Sequence, residues 1–261
     1  MNEIINIKNV GVSYHENVLL KDISFSANEK DFITILGPNG SGKTTILTLI
    51  NGLRKITSGS VKIFGQELTE TNISEARKNI GYIPQHSNID PKSLISVREA
   101  VSIGRFGKIG LFKDLADNDN KIIDKAIETV GMTKLSNRPI GSLSGGEHQK
   151  VSIARVMAQQ PKIMLFDEPT SSLDLKAQKD IVMLIERIYK QKKYTIVFVT
   201  HILNHIPSSC NKVILVKDGK INLSGSFKEA VNEKNISKLY DCRVKTVGVR
   251  KRNFIWSDFG E

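Results

Sequence analysis

Short apolar runs separated by turn residues make up the first part of the chain, up to about Ile83. β-Branched and aromatic residues are frequent in these runs, and Gly, Asn and Asp recur between them, which is typical of strands. The predicted strands are INIKNV, VSY, LLKDISFSA, DFITIL and SGSVKIFG. DFITIL leads into a glycine-rich loop, after which apolar residues from Ile46 to Ile50 follow a helical spacing. The pattern therefore predicts strand, loop and helix in succession.

Between Ser96 and Gln160 the apolar residues follow a helical period. The predicted helices are VREAVSIG, KIIDKAIETVG and GEHQKVSIARVMAQQ, the second of them ending at Gly131. We interpret this region as an inserted helical subdomain.

Two nearly continuous apolar runs follow, KIMLF and TIVFVT, with a helix predicted from Lys176 to Lys190 between them. Strands of this kind are typical of a parallel sheet that is buried on both faces. VILVKDGKI then predicts a hairpin with its turn at Asp218 and Gly219. The elements together predict an α/β fold, in which helices flank a mixed sheet, with an antiparallel β region at the N-terminus. We expect one domain over 1–261, with a core in 1–85 and 161–240, a helical insertion in 86–160 and a basic tail in 241–261.

Composition adds few constraints. Hydrophobic residues make up 39% of the 261 residues and charged residues 25%, and the sequence contains neither a signal peptide nor a long apolar span, so we expect folding in the cytosol. Cys210 and Cys242 lack the CxxC spacing of zinc or redox sites, and we expect both to be reduced and structural. The net charge of +11 suits nucleic acid, anionic lipid or nucleotide, or simply a solvated lysine-rich surface.

The glycine-rich loop carries the most specific signal in the chain. Its residues are Gly37, Pro38, Asn39, Gly40, Ser41, Gly42, Lys43, Thr44 and Thr45, which fit the spacing GxxxxGK[ST] between a strand and a helix. Glycines let successive backbone amides surround phosphate oxygens, and the helix N-terminus adds partial positive charge. Lys43 is expected to reach the β- and γ-phosphates of ATP, and Thr44 to bind Mg²⁺.

Polar residues follow both apolar strands of the core. Asp167 and Glu168 end the KIMLF run and His201 ends TIVFVT, and the carboxyl ends of parallel strands meet at one edge of a sheet. We expect Asp167 to bind Mg²⁺, Glu168 to act as general base or to orient the attacking water, and His201 to contact the γ-phosphate. The spacing of His201 and His205 also fits metal ligation, although a zinc-protease motif would need Glu where Ile202 stands.

A second anion-binding helix start lies at Leu143-Ser144-Gly145-Gly146-Glu147, where Ser144 and the following amides precede a helix. Spacing alone leaves open whether both anion sites face one nucleotide within a chain or across two subunits.

These motifs occur in the order found in the ATPases of ABC transporters, and the chain resembles that family over nearly its whole length. The resemblance implies a P-loop NTPase core and assigns adenine stacking to Tyr14, Mg²⁺ sensing to Gln85, and the D-loop to Ser171–Asp174, with Ser172 and Asp174 as its site residues. It also implies a head-to-tail homodimer or pseudo-dimer in which Ser144, Gly145 and Gly146 of one subunit close on the γ-phosphate bound by the other.

The same resemblance implies location at the cytoplasmic face of the cell membrane, with permease subunits, an extracytoplasmic substrate-binding protein and no nucleic acid as partners. Residues 97–110 and 127–147 look most like importers of manganese, zinc or iron, with iron-siderophore and cobalamin importers as the alternative. Nucleic-acid-associated ATPases are less favoured, since the sequence shows no heptad array of a coiled coil and no second ATPase domain. An exporter is a further, less favoured alternative. The family signature LSGGQ ends here in Glu147, and we expect the activity to tolerate it.

Overall fold

The computed structural model describes residues 2–85, 92–110, 113–191, 194–249 and 252–257. The chain forms two compact units, the first made of 1–73 with 195–261 and the second of 74–194. The predicted helical insertion falls within the second unit. Among the described residues, no helix has the length and apolar character needed to span a membrane.

The secondary structure is as follows. The strands are β1 Glu3–Tyr14, β2 Asn17–Asn28, β3 Phe32–Leu36, β4 Ser58–Ile63, β5 Gln66–Glu67, β6 Ile80–Ile83, β7 Ile163–Asp167, β8 Thr195–Thr200, β9 Lys212–Lys217, β10 Lys220–Gly225, β11 Val244–Val249 and β12 Arg252–Ser257. The α-helices are α1 Lys43–Ile50, α2 Ile73–Arg77, α3 Val97–Ile109, α4 Asp117–Thr129, α5 Gly145–Gln159, α6 Leu175–Lys190, α7 Phe227–Ala230 and α8 Glu233–Tyr240. Short 3₁₀ turns occupy Thr133–Leu135, Ile140–Ser142 and Leu203–His205.

In the first unit, β1 pairs antiparallel with β2 and with β4, which confirms the predicted antiparallel region at the N-terminus. A mixed sheet follows, in which β3 lies parallel to both β8 and β9, and β10 pairs antiparallel with β9. Every residue of β3 and β8 is buried, as expected of continuous apolar runs in a parallel arrangement. The β9–β10 turn has positive φ at Asp218 and Gly219, the conformation that a two-residue hairpin turn favours.

In the second unit, β6 and β7 form a parallel pair, and α3, α4 and α5 pack together. A buried ion pair joins two of these helices, since Arg105 Nη2 of α3 lies 2.8 Å from Asp119 Oδ1 of α4. Arg105 Nη1 also donates to the Ala158 carbonyl of α5 at 2.8 Å. Three helices are therefore tied through one guanidinium, which satisfies the requirement that a buried charge be paired and hydrogen-bonded.

The C-terminal region differs from the sequence interpretation, which placed no helix after the hairpin and treated 241–261 as a tail. Residues 227–240 contain α7 and α8, and β11 pairs antiparallel with β12. Ile236 and Leu239 of α8 join an apolar cluster with Leu36 and Leu215. Helices this short show little periodicity, so tertiary packing determines them. Cys210 packs against the same cluster, whereas Cys242 is exposed, so only Cys210 has the structural environment expected of both.

Candidate active site

The glycine-rich loop connects the buried strand β3 to α1 in the first unit. A Cβ atom on Gly37 would lie 2.1 Å from the Val216 carbonyl oxygen, so β9 leaves no room for a side chain there. Gly42, at the N-cap of α1, has a φ of 102°, a conformation that costs little only for glycine. These two glycines are therefore required by the path of the loop itself.

Lys43 lies inside this loop, with 5% of its surface exposed. Its Nζ donates to the carbonyl oxygens of Gly37 at 2.9 Å and Pro38 at 2.8 Å. The first turn of α1 contains no acidic residue, so the partial positive charge of the helix N-terminus is not offset there. The loop thus combines an ammonium group, a helix start and backbone amides, which is the arrangement that attracts a phosphate group.

The β9–β10 turn braces the loop from outside. The Gly219 amide donates to the Ser41 carbonyl at 3.1 Å, and the Lys21 amide of β2 donates to the Gly219 carbonyl at 2.8 Å. The sequence predicted this turn as an ordinary hairpin and gave no signal for its contact with the loop, because the two segments are far apart in the chain.

His201 lies beside the start of the loop. Thr200 of β8 is level with Leu36 of β3, so His201 and Gly37 leave neighbouring strands at the same edge, where strands are about 4.8 Å apart. The Tyr240 hydroxyl donates to the His201 carbonyl at 2.8 Å, a contact that the sequence did not suggest because α8 was not predicted. Burial, together with the nearby His201, lowers the pKa of His205.

Tyr14 lies at the tip of the β1–β2 hairpin, where it pairs with Asn17. Tyr14 is 61% exposed, and its ring stacks on that of His15, with the ring centroids 4.4 Å apart. The same hairpin passes the loop at Leu20, whose Cδ2 would lie 2.6 Å from a Cβ on Gly42. Asn17 and Leu20 are three positions apart along the strand, which corresponds to about 10 Å. An exposed aromatic ring at this distance from a phosphate loop suits contact with a nucleotide base.

The two carboxylates predicted after β7 lie in the second unit and are both buried, Asp167 with 2% and Glu168 with 7% of its surface exposed. Gln85 Nε2 donates to Glu168 Oε2 at 3.2 Å, so the predicted Mg²⁺-sensing amide contacts the predicted base. The Tyr82 hydroxyl donates to Asp167 Oδ2 at 3.1 Å. Burial and the charge of Asp167 raise the pKa of Tyr82, so the phenol keeps its proton. Sequence reasoning missed Tyr82, although it belongs to the segment GYIPQ that identified Gln85.

Backbone strain marks the segment between β7 and α6. Glu168 has a φ of 45° and Ser172 a φ of 64°, left-handed values that cost a residue with a side chain about 1–2 kcal/mol. The Ser171 amide donates to the Glu168 carbonyl at 3.0 Å and closes a turn. Asp174 caps α6 by accepting a hydrogen bond from the Ala177 amide at 2.8 Å. Strain of this kind is typical of functional segments.

The signature segment begins α5 with Ser144 exposed at the N-cap. Glu147 Oε2 accepts from the Ser144 amide at 2.8 Å and from its hydroxyl at 2.9 Å. The hydrogen bond from the Ser144 amide lowers the pKa of Glu147, with further lowering from the Ser144 hydroxyl, Arg138 and Lys150, although burial opposes them. Ser96 with Glu99 and Ser226 with Glu229 form the same capping box at α3 and α7. Helix capping is therefore the first role of Glu147.

The structure groups the predicted residues within each unit. The loop, Tyr14 and His201 belong to the first unit, and Gln85, Asp167, Glu168, the signature and the predicted D-loop belong to the second.

Residues 20–171 match a protein family described as ABC transporter. The chain is 36% identical over 230 residues to the zinc uptake system ATP-binding protein ZurA of Listeria innocua, covering 88% of each chain. It is 32% identical over 243 residues to the iron(3+)-hydroxamate import ATP-binding protein FhuC of Bacillus subtilis, covering 93% of this chain and 90% of that one. It also spans 52% of a longer Bacillus subtilis relative, the uncharacterized ABC transporter ATP-binding protein YvrA, at 35% identity.

Among solved structures, the chain resembles the dimeric ATP-binding cassette MJ0796 in a post-hydrolysis state bound to ADP and phosphate. The TM-score is 0.74 at 29% sequence identity, over 85% of this chain and 98% of that one.

Proposed function

Because the chain belongs to the ABC transporter family, we propose that it is the ATP-hydrolysing subunit of an importer and drives metal-ion uptake through a separate permease. The observation that carries this proposal is the loop in which the Lys43 ammonium donates to two loop carbonyls at the N-terminus of α1, whose first turn contains no acidic residue. Burying an ammonium group is costly, and a phosphate group bound in the loop would supply negative charge beside it.

The residues present fit ATP and Mg²⁺. The loop offers amide donors and a cation to the triphosphate, and the predicted metal ligands, Thr44, Gln85 and Asp167, all offer the oxygen donors that Mg²⁺ prefers. When bound, ATP supplies the phosphoryl group and Mg²⁺ neutralises charge on its β- and γ-phosphate oxygens.

The chain's own residues have separate roles in this proposal. Lys43 exchanges its two carbonyl acceptors for phosphate oxygens, while Tyr14 stacks on adenine. Glu168 orients the attacking water and accepts its proton, after the amide of Gln85 releases its carboxylate. His201 donates a hydrogen bond toward the γ-phosphate. The strained backbone at Glu168 suits a residue whose position must be fixed before the reaction.

Hydrolysis in this proposal requires a second subunit. Ser144 and Gly145 are exposed at the start of α5, where the helix start attracts a γ-phosphate bound by another chain and the Ser144 hydroxyl exchanges its Glu147 acceptor for a phosphate oxygen. The dimeric MJ0796 cassette, bound to ADP and phosphate, supports this arrangement. The subunits work at the cytoplasmic face of the membrane, with a permease that receives the motion and a substrate-binding protein outside.

A metal ion is the substrate class that we favour. The relatives named for zinc uptake and for iron(3+)-hydroxamate import support metal or metal-chelate transport.

The proposal is tested in proteoliposomes that contain this chain and its permease. ATP hydrolysis is measured after addition of the binding protein loaded with Zn²⁺, Mn²⁺, Fe³⁺, an iron-hydroxamate complex or cobalamin. We expect one metal ion to stimulate hydrolysis several-fold, as expected of coupled transport. If only the iron-hydroxamate complex or only cobalamin stimulated hydrolysis, the chain would belong to the alternative class of iron-siderophore or cobalamin importers. Salt-sensitive DNA binding with no association to permease-containing membranes would reject the transporter role.

Glu147→Gln is expected to keep ATP hydrolysis within about twofold of the wild-type rate. The glutamine carbonyl still accepts from the Ser144 amide, so the cap persists, and only a charge near the helix start is lost, worth about 0.3–1 kcal/mol. The measurement is steady-state ATP hydrolysis beside a thermal melt.

Two variants serve as matched controls for this change. Glu99→Gln and Glu229→Gln alter the same capping box at helices outside the signature. If Glu147→Gln lost most of the hydrolysis rate while both controls kept it, the carboxylate would have a role beyond capping.

A further inference from the structure

Tyr82 lies on β6, directly beside the strand that carries Asp167. The parallel register places Tyr82 level with Leu165 of β7. Side chains alternate along a strand, so Leu165 and Asp167 project to the same face as Tyr82. Asp167 is therefore the diagonal neighbour of Tyr82. The two backbones are about 7–8 Å apart at these residues, a distance that an aromatic side chain can span.

Helix α5 covers the opposite face of β6. A Cβ on Gly81 would lie 2.2 Å from Val156 Cγ1, so this helix packs directly on the strand backbone. Tyr82 therefore emerges on the face of Asp167, and its hydroxyl donates to Oδ2 at 3.1 Å. Only 2% of the surface of Asp167 is exposed, so water can do little to orient its carboxylate.

We infer that Tyr82 is a positioning residue that fixes the orientation of the Asp167 carboxylate for Mg²⁺ by donating its hydroxyl hydrogen to Oδ2. This inference depends on the proposed function, in which Asp167 is a metal ligand. Partners that orient a metal ligand change metal affinity or activity by about 10- to 100-fold when they are removed.

The position of Tyr82 also connects the two carboxylates. β6 ends at Ile83, and Gln85, two residues later, donates to Glu168. The end of one strand thus holds Asp167 through a phenol and Glu168 through an amide. A shift of this segment would act on both carboxylates together.

The test is Tyr82→Phe, which removes the hydroxyl and keeps the ring. Binding of a fluorescent ADP analogue is titrated over a Mg²⁺ series and again in EDTA. We expect the Mg²⁺ concentration for half-maximal enhancement of binding to rise about tenfold, with binding in EDTA unchanged. In hydrolysis assays the Mg²⁺ requirement rises by the same factor, while the rate at saturating Mg²⁺ stays within about twofold, since the ligand itself remains.

Three further variants define the outcome. Tyr194→Phe removes the hydroxyl of a buried tyrosine in the same unit and should leave the Mg²⁺ dependence unchanged. Tyr82→Leu removes the ring as well. If Tyr82→Leu weakened the Mg²⁺ enhancement and Tyr82→Phe did not, the inference would be overturned, because the ring would then act through packing. Asp167→Asn should abolish the Mg²⁺ enhancement. If Asp167→Asn loses the Mg²⁺ enhancement and Tyr82→Phe keeps it, only the inference about Tyr82 fails. If Asp167→Asn keeps the enhancement, the proposed role of Asp167 as a metal ligand is rejected as well.

Discussion

Glu168→Gln is expected to lower the rate of ATP hydrolysis by at least about 100-fold, because a positioned general base contributes about 10²- to 10⁴-fold. Glutamine has nearly the same shape, and the residue is 7% exposed with a φ of 45°, so an isosteric side chain keeps the strained turn in place. ATP binding should persist, since the change leaves the loop around Lys43 untouched. The variant should therefore accumulate as an ATP-bound dimer, which gel filtration with ATP and with ADP can detect.

The matched control is Glu128→Gln, at an exposed carboxylate of α4 that pairs with Lys125 at 2.8 Å. A surface pair of this kind contributes about 0–1 kcal/mol, so hydrolysis by the control should match that of the wild type. Normal turnover by Glu168→Gln would remove Glu168 from its proposed role. A dimer that forms equally with ATP and ADP would contradict trapping before hydrolysis.

Lys43→Ala is expected to weaken ATP binding on the order of 100-fold, equivalent to about 2.7 kcal/mol. Hydrogen bonds to charged groups contribute about 1.5–3 kcal/mol each, and the lost ammonium would otherwise meet phosphate oxygens. The measurement is calorimetric titration with ATP in the presence of Mg²⁺. Hydrolysis at low ATP should fall at least as far as the affinity.

The same variant should also lower thermal stability without nucleotide, because Gly37 and Pro38 lose their Nζ donor. Lys55→Ala serves as the control, since its side chain is 90% exposed and pairs with Glu70 at the surface. Wild-type ATP affinity in Lys43→Ala would contradict the role of the loop. A loss of affinity in both variants would point to general electrostatics rather than to Lys43.

Local pattern was enough to predict most of the elements that carry the candidate site. The buried strands β3, β7 and β8 are continuous apolar runs, and Gly, Lys and Thr follow the first of them at fixed spacing. The left-handed φ of Gly42 and the hairpin turn at Asp218 and Gly219 also depend on residue type and neighbours in the chain. Such features are local, so the sequence expresses them directly.

The C-terminal helices show where this reasoning fails. α7 has four residues and α8 has eight, which is too few for a periodic pattern, and the capping box of Ser226 and Glu229 is seen only in the structure. α8 is held by Ile236 and Leu239 in a cluster with residues from β3 and β9. The hydrogen bond from the Tyr240 hydroxyl of α8 to the His201 carbonyl depends on that packing.

The sequence by itself determined that this chain has a glycine-rich loop between a strand and a helix, a carboxylate pair at the end of an apolar strand and a serine-glycine helix start, because each is a matter of residue type at short spacing. Only the tertiary structure decided which groups hold them. The loop is braced by Gly219, Asp167 is contacted by Tyr82, and Glu168 is contacted by Gln85. The physical reason is that these bonds join residues more than 80 positions apart, and their formation depends on strand register and on the face of the sheet to which each side chain projects.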